Sequence, residues 1–210
     1  SYFEANDDYP QSSKNYTVVT KDLIPTTTTV NGVNGIVGKT VTITATVTNQ
    51  TDSSQKVSQG TVTFKYNGDT LGQATLTSSD PGVASIDVVF NNSITGGKVI
   101  AYYTDNNEKY MDSDSSESGN NLNIGQGEVE LEVTQSAHGY VDTKVEVEAV
   151  ARDKNTGIII NSGKININGV SCDIVDGKVV YNYTITTSSS VTIESYFEAN
   201  DDYPQSSKNY

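Results

Sequence analysis

The chain has 210 residues, with 26 Asp and Glu against 13 Lys and Arg and a formal net charge of −13. An acidic surface is repelled by phosphate backbones and anionic lipid, which argues against nucleic acid and membrane surfaces as partners. Apolar residues make up 34% of the chain, and a single cysteine, Cys172, excludes an intrachain disulfide.

The first element in chain order is a duplicated one. SYFEANDDYPQSSKNY at 1–16 recurs unchanged at 195–210, a period (195 − 1) of 194 residues. Identity over that length does not arise by chance, so the sequence reads as a window cut from a longer tandem array. The period is far longer than the roughly 20–50 residues of a solenoid unit and leaves room for one or two independent cores. After the block, Tyr16-Thr17-Val18-Val19-Thr20-Lys21-Asp22 reads as a strand.

Alternation of period two then dominates. Val41, Ile43, Ala45 and Val47 share one face of VTITATV, and Val62, Phe64 and Tyr66 one face of TVTFKY. Ile86, Val88 and Phe90 follow, and KVIAYYTD alternates around either Ile100 and Tyr102 or Val99, Ala101 and Tyr103. NNLNIGQ at 120–126 reads as a closing strand. VELEV (Val129, Leu131, Val133), KVEVEAVA (Val145, Val147, Ala149, Ala151) and KININ (Ile165, Ile167) repeat the pattern. Turn signals punctuate the runs at Asn31-Gly32, Asn67-Gly68, Pro81-Gly82, Gly96-Gly97, Asn168-Gly169 and Asp176-Gly177. No stretch has a helical period of useful length.

The halves resemble each other. Residues 39–49 line up with 143–153, 60–90 with 163–185, and 98–116 with 191–209. The expectation is all-β: two tandem immunoglobulin-like antiparallel β-sandwiches of about 100 and 90 residues. Residues 1–22 are expected to be the last strands of a preceding repeat, 23–125 the first domain, and 126–210 a second domain lacking its final strand. A short linker around Ile124-Gly125-Gln126-Gly127 points to an extended, acidic pair with a small polar interface.

The hairpin G-T-V-T-F-x-x-N-G-x-x-L-G (Gly60 to Gly72), the strand Ala101-Tyr102-Tyr103 and the loop Asp105…Tyr110…Ser113-x-Ser115 resemble bacterial Ig-like tandem repeats. Such repeats build surface adhesins and the adhesin-like proteins of bacteria and methanogenic archaea. In the second half Ser195-Tyr196-Phe197 stands for the aromatic strand and Asp202-Tyr203…Ser206-Ser207 for the loop, while the hairpin has lost its Phe and its Leu-Gly. The resemblance implies that the loop motif is structural, its Tyr packing over the end of the sandwich, and it carries over no ligand site. Some adhesin domains also hold a Lys–Asn crosslink, which needs an inward-facing lysine. Lys65 and Lys144 both read as outward-facing.

His138, the only histidine, lies in a turn with Ser136, and residues two apart in a turn do not form a triad. One His with one Cys makes no zinc site. The glycine-rich NGVNGIVG at 31–38 lacks the strand–loop–helix context of a phosphate loop, and tyrosines without any Trp weaken a lectin reading. Oxygen-rich loops bring Asp105, Asp112 and Asp114 together in one half, and Asp201 and Asp202 in the other. Calcium, which takes six to eight oxygens, is the one cofactor they suggest, against carboxylates that only cap turns. Sequons begin at Asn15, Asn49, Asn91 and Asn182.

No acid, base and nucleophile constellation is visible, so the expectation is a non-enzyme. The leading function is the structural stalk of a large extracellular, cell-surface adhesin-like or fibre-forming protein. The alternative is an Ig-like binding module for glycan or protein. The expected partners are neighbouring repeats or copies of the chain, head to tail. In that arrangement Tyr16, Val18 and Val19 of one copy donate a strand to the open edge of another.

Overall fold

A computed structural model describes residues 2–3, 7–8, 12–13, 22–107, 109–116, 121–135, 138–206 and 208–209. The strands in chain order begin with β1 (Tyr2–Phe3), β2 (Ser12–Ser13), β3 (Thr26–Val30), β4 (Val33–Ile36) and β5 (Thr40–Asn49). There follow β6 (Thr61–Tyr66), β7 (Asp69–Thr75), β8 (Val83–Val89), β9 (Ile94–Thr104), β10 (Ser113–Asp114) and β11 (Asn121–Gly125). The second half holds β12 (Val129–Gln135), β13 (Lys144–Asp153), β14 (Lys164–Ile167), β15 (Val170–Asp173), β16 (Val179–Thr184), β17 (Glu194–Phe197) and β18 (Lys208–Asn209). Among the described residues there is no helix, and so none long and apolar enough to cross a membrane.

Local chemistry sets the hairpins. Asn67-Gly68 (φ 50° and 91°), Asn168-Gly169 (54° and 81°) and Asp176-Gly177 (50° and 79°) are all left-handed at both positions. That is the turn whose twist matches paired strands, and Asn, Asp and Gly tolerate it best. The first joins β6 to β7, the second β14 to β15, and the third closes on reciprocal amide bonds between Val175 and Lys178 (2.9 and 3.1 Å).

The first half packs the sheet β3-β5-β8 against the sheet β4-β11-β9-β6-β7, with β10 also paired to β9. All pairs are antiparallel except β4 with β11. Ile43, Val47, Phe64, Val62, Leu122 and Tyr103 fill the space between the two sheets. Of the two faces open for KVIAYYT, Val99, Ala101 and Tyr103 point in. The second half repeats the plan with β12-β13-β16 facing β15-β14-β17-β18, around Leu131, Val147, Ile165, Ile167 and Phe197. The all-β reading therefore holds, with two hydrophobic cores.

Three details differ from the sequence reading. Gly96-Gly97 does not separate strands: it lies inside β9, where Gly96 is left-handed (φ 70°) and the pairing with β11 shifts register, a β-bulge. Asn31-Gly32 joins β3 to β4, which belong to different sheets, so it carries a crossing and not a hairpin. Ile124 and Gly125 are not linker, because they end β11 and Ile124 is buried in the first core.

Register also refines the internal match. Val62 pairs Tyr103 and Ile165 pairs Phe197, so Tyr103 corresponds to Phe197 and Ala101 to Ser195. Lining up 98–116 with 191–209 is thus one residue out along the strand, and the loop that follows is one residue shorter in the second half.

Candidate functional site at the junction of the two cores

The loop after β9 turns on one buried carboxylate. Asp105 accepts the side-chain amide of Gln59 (2.7 Å) and the backbone N–H groups of Asn107 (3.1 Å), Lys109 (3.1 Å) and Tyr110 (3.0 Å). Burial pushes its carboxyl up, but these four donors outweigh burial and hold it below the usual Asp value. The amides so fixed deliver Tyr110 into the end of the first core, where it is buried. Asp112 in turn accepts the N–H of Asp105 at 3.1 Å.

The serines of the motif stitch the loop to the sheets. The Ser113 hydroxyl shares 2.7 Å hydrogen bonds with those of Thr26 and Thr28 on β3. The amide of Ala101 donates to Ser115 Oγ at 2.9 Å, and the Ser115 amide returns a bond to the Ala101 carbonyl at 3.0 Å. Tyr103 donates to the Gln59 carbonyl at 3.0 Å, and burial followed by the charge of Asp105 pushes its hydroxyl far above the ordinary tyrosine value. Gly60 (φ 96°) makes room for that ring, since a Cβ there would lie 2.4 Å from Tyr103 Cε2.

In the second half Asn200 does the work of Asp105. Its Oδ1 accepts the amides of Asp202 (3.0 Å) and Tyr203 (2.8 Å). Tyr203 stands edge-on to Phe197 with ring centroids 6.3 Å apart, and it packs against both cores. Burial first, then the charge of Asp153, pushes the Tyr203 hydroxyl up to about 12.

This loop is also what the first half touches. The Ser93 amide donates to Asp202 Oδ1 (2.7 Å), the Asn92 side chain to Oδ2 (3.2 Å), and the Ser93 hydroxyl to the Asp201 carbonyl (3.0 Å). Gln126 donates to the carbonyls of Asn200 (2.7 Å) and Asp201 (3.3 Å), and the Gly127 amide to that of Asp202 (2.8 Å). Glu128 lies between Lys39 (3.5 Å) and Lys154 (3.4 Å), both exposed pairs of small energetic weight. Behind them Gly38 (φ 80°) lies against Asp153 so closely that a Cβ would meet its carboxylate oxygens at 2.4 and 2.5 Å. Besides the packing of Tyr203 against both cores, the contacts at the junction are these hydrogen bonds and the ion pairs of Glu128.

The other sequence candidates are dispersed. Asp105 and Asp112 are neighbours, Asp114 accepts the Ser116 amide at 2.8 Å, and Asp201 and Asp202 lie at the junction. Among the described residues no three or more His, Cys, Asp or Glu side chains are grouped to hold a metal ion. Asn91 and Asn182 are exposed. Asn49 is 5% exposed, and its Oδ1 accepts the Thr51 amide (2.9 Å) and hydroxyl (2.7 Å) of its own sequon. Asn15, Tyr16, Val18 and Val19 lie outside the described residues, as does Ser136; His138 is exposed. Lys144 is exposed, and Lys65 lies over the outward Tyr102 ring at 5.4 Å.

The junction contacts had no sequence signature of their own. Ser93 and Asn92 read only as part of a sequon, and Gln126 only as the end of a closing strand and as linker. What the sequence did offer was the Asn200-x-Asp202-Tyr203 spacing, an Asx-turn pattern that points its residues at whatever lies beside the loop.

Neither a known family model nor any curated protein matches the chain by sequence. Among solved structures it is similar to the Yersinia pseudotuberculosis adhesin InvE, at 16% identity and a TM-score of 0.40 over 88% of this chain and 57% of that one. It is similar to a 1.5-MDa bacterial ice-binding adhesin, at 14% identity and a TM-score of 0.35 over 91% of this chain and 64% of that one. It is also similar to the ligand-binding domain of human OSCAR, at 11% identity and a TM-score of 0.30 over 90% of this chain and 97% of that one. The chain thus spans well under two thirds of the InvE chain and slightly under two thirds of the ice-binding adhesin's.

Proposed function

We propose that the chain is a spacer: a pair of β-sandwich units from the stalk of an extracellular, cell-surface adhesin-like protein, built to repeat head to tail. The observation that carries this reading is the junction. The segment that clasps the first unit, Asn200-Asp201-Asp202-Tyr203, lies within the 16 residues that also occupy 1–16, as Asn6-Asp7-Asp8-Tyr9. The means of joining one unit to its predecessor is therefore written into the repeat itself. A stalk needs defined junctions and copy number, and it needs no ligand site.

The binding-module alternative has less support. Tyr102 and Tyr196 occupy equivalent outward positions, a single matched aromatic in each unit, and the Lys65 ammonium lies 5.4 Å from the ring of the first. The test joins one, two and three 194-residue repeats in a single chain and measures their maximum dimension by small-angle scattering, alongside a glycan array. The spacer reading expects a constant increment per repeat and no glycan retained. Collapse of the longer chains, or specific glycan capture by a single repeat, would overturn it.

A further inference from the structure

Beside the second core lies an open groove of about 540 Å³. One wall is formed by residues 138–141, the other by 187–191, and Val145, Ile185 and Ile193 line it between them. Its counterpart in the first half is occupied, and the match can be made residue by residue. The amide of Gly38 donates to the Phe90 carbonyl (3.0 Å) as that of Asp142 does to Ile185 (2.8 Å), and both residues are left-handed (φ 80° and 66°). Val37 therefore corresponds to Val141, and β4 to the wall beginning at His138. The register of β9 and β17 makes Ile94 to Lys98 correspond to 188–192, the other wall.

In the first half the strand between those walls is β11, parallel to β4 and antiparallel to β9, with Leu122 and Ile124 buried. In the second half no described strand occupies the position. β18 does not: it pairs Lys208 with Ser195, and in the first half Ser115, beside β10, holds the corresponding place against Ala101. The difference shows as exposure. Val37 is 0% exposed and its counterpart Val141 is 43%; Tyr140, where the first half has Ile36, is 85%, and Val191 is 42%.

We infer that this groove is a strand acceptor, and that its occupant is residues 16–21 of a second copy of the chain. In the first half the sequence after the Asp105…Tyr110 loop supplies β11. In the second half the corresponding loop belongs to the 16-residue block, and the sequence that follows that block at its other occurrence is Thr17-Val18-Val19-Thr20-Lys21. It is rich in β-branched residues, matches the five residues of β11, and alternates so that Tyr16, Val18 and Thr20 share one face. With Val18 facing Val145 and Ile193, the strand pairs its backbone with both walls, the geometry of strand addition. One copy then donates to the next, and chains grow head to tail. The inference does not depend on the spacer reading, because a binding module could assemble in the same way.

The test uses the full 210-residue chain in sedimentation equilibrium, with circular dichroism to verify folding. The donor is disabled by Val18→Asp. The acceptor is disabled by Val191→Asp and, independently, by Tyr140→Asp, both at exposed positions. The wild-type mass should rise with concentration, each variant alone should remain monomeric, and an equimolar mixture of donor-disabled and acceptor-disabled chains should form a dimer and stop there. A wild type that stays monomeric up to millimolar concentration, variants that assemble like the wild type, or a mixture that yields no dimer would each overturn the inference.

Discussion

Ser93 and Asp202, 109 residues apart in sequence, are joined by a 2.7 Å hydrogen bond from the Ser93 amide to the Asp202 carboxylate. A bond from a backbone donor to a charged acceptor contributes more than a neutral one, and here it ties a loop of the second core to the end of the first. Asp202→Ala should leave both cores folded and weaken the junction by about 1.5 kcal/mol, the lower end for charged hydrogen bonds because the group is half exposed. Spin labels placed one on each unit should then report a broadened distance distribution, with unchanged circular dichroism. An unchanged distribution would remove Asp202 from the clasp.

Asp105 should matter more. Asp105→Ala leaves the Gln59 side chain and the amides of Asn107, Lys109 and Tyr110 without their acceptor. A loss of about 3 kcal/mol is expected in urea unfolding, since buried donors then go unmet. The sign of the pH effect follows from the lowered carboxyl. Its stabilisation is present above the ordinary Asp value of 3.8 and is lost as pH falls below it through the folded-state value. Stability should fall more steeply below about pH 4 in the wild type than in Asp105→Asn.

The same engagement bears on calcium. Oxygens of Asp105, Asp112, Asp114 and Asp202 already accept hydrogen bonds. The melting temperature in millimolar calcium should equal that in EDTA to within about a degree, roughly 0.3 kcal/mol for a domain of this size. A clear calcium-dependent rise would place a cation at these aspartates.

Equivalent serines should respond in opposite ways. Ser113 bonds Thr26 and Thr28, whereas at its counterpart Ser206 the hydroxyl is buried without a hydrogen-bond partner, Val129 and Leu131 standing in place of the threonines. Ser113→Ala should cost about 1–2 kcal/mol, while Ser206→Ala should be neutral or stabilising, as expected when an unsatisfied buried polar atom is removed. Thermal unfolding of the two variants decides it; a larger loss for Ser206→Ala would contradict the assignment.

Tyr203 gives the alkaline limb. Its hydroxyl is pushed up to about 12 by burial and by Asp153, so the folded state keeps it neutral where the unfolded chain ionises near 10. Its contribution is complete below pH 10 and lost as pH rises towards 12. Tyr203→Phe should flatten stability across that interval, read from unfolding curves at each pH.

Most of this fold was legible from alternation and turn residues. Val41, Ile43, Ala45 and Val47 face inward as their spacing requires, and Asn67-Gly68 and Asn168-Gly169 lie where hairpins need left-handed pairs. Gly96-Gly97 misled because a double glycine marks a bulge as readily as a turn, and only the strand opposite tells them apart. The aspartates were read by density of oxygen, as a calcium site or as turn caps, and Asp105 and Asp114 each accept the amide two residues on, as a capping carboxylate does. The contacts of Ser93 and Gln126 depend on how two units meet, which no local pattern encodes.

The central claim, that two sandwich units are held apart end to end by a clasp carried in the repeat, is tested most directly by small-angle scattering of the 210-residue chain in dilute solution. A compact chain of this length has a radius of gyration of about 17 Å. The account predicts a value well above that, with a two-lobed distance distribution that broadens in Asp202→Ala. A value near 17 Å with a single-lobed distribution, unaltered by the substitution, would contradict it.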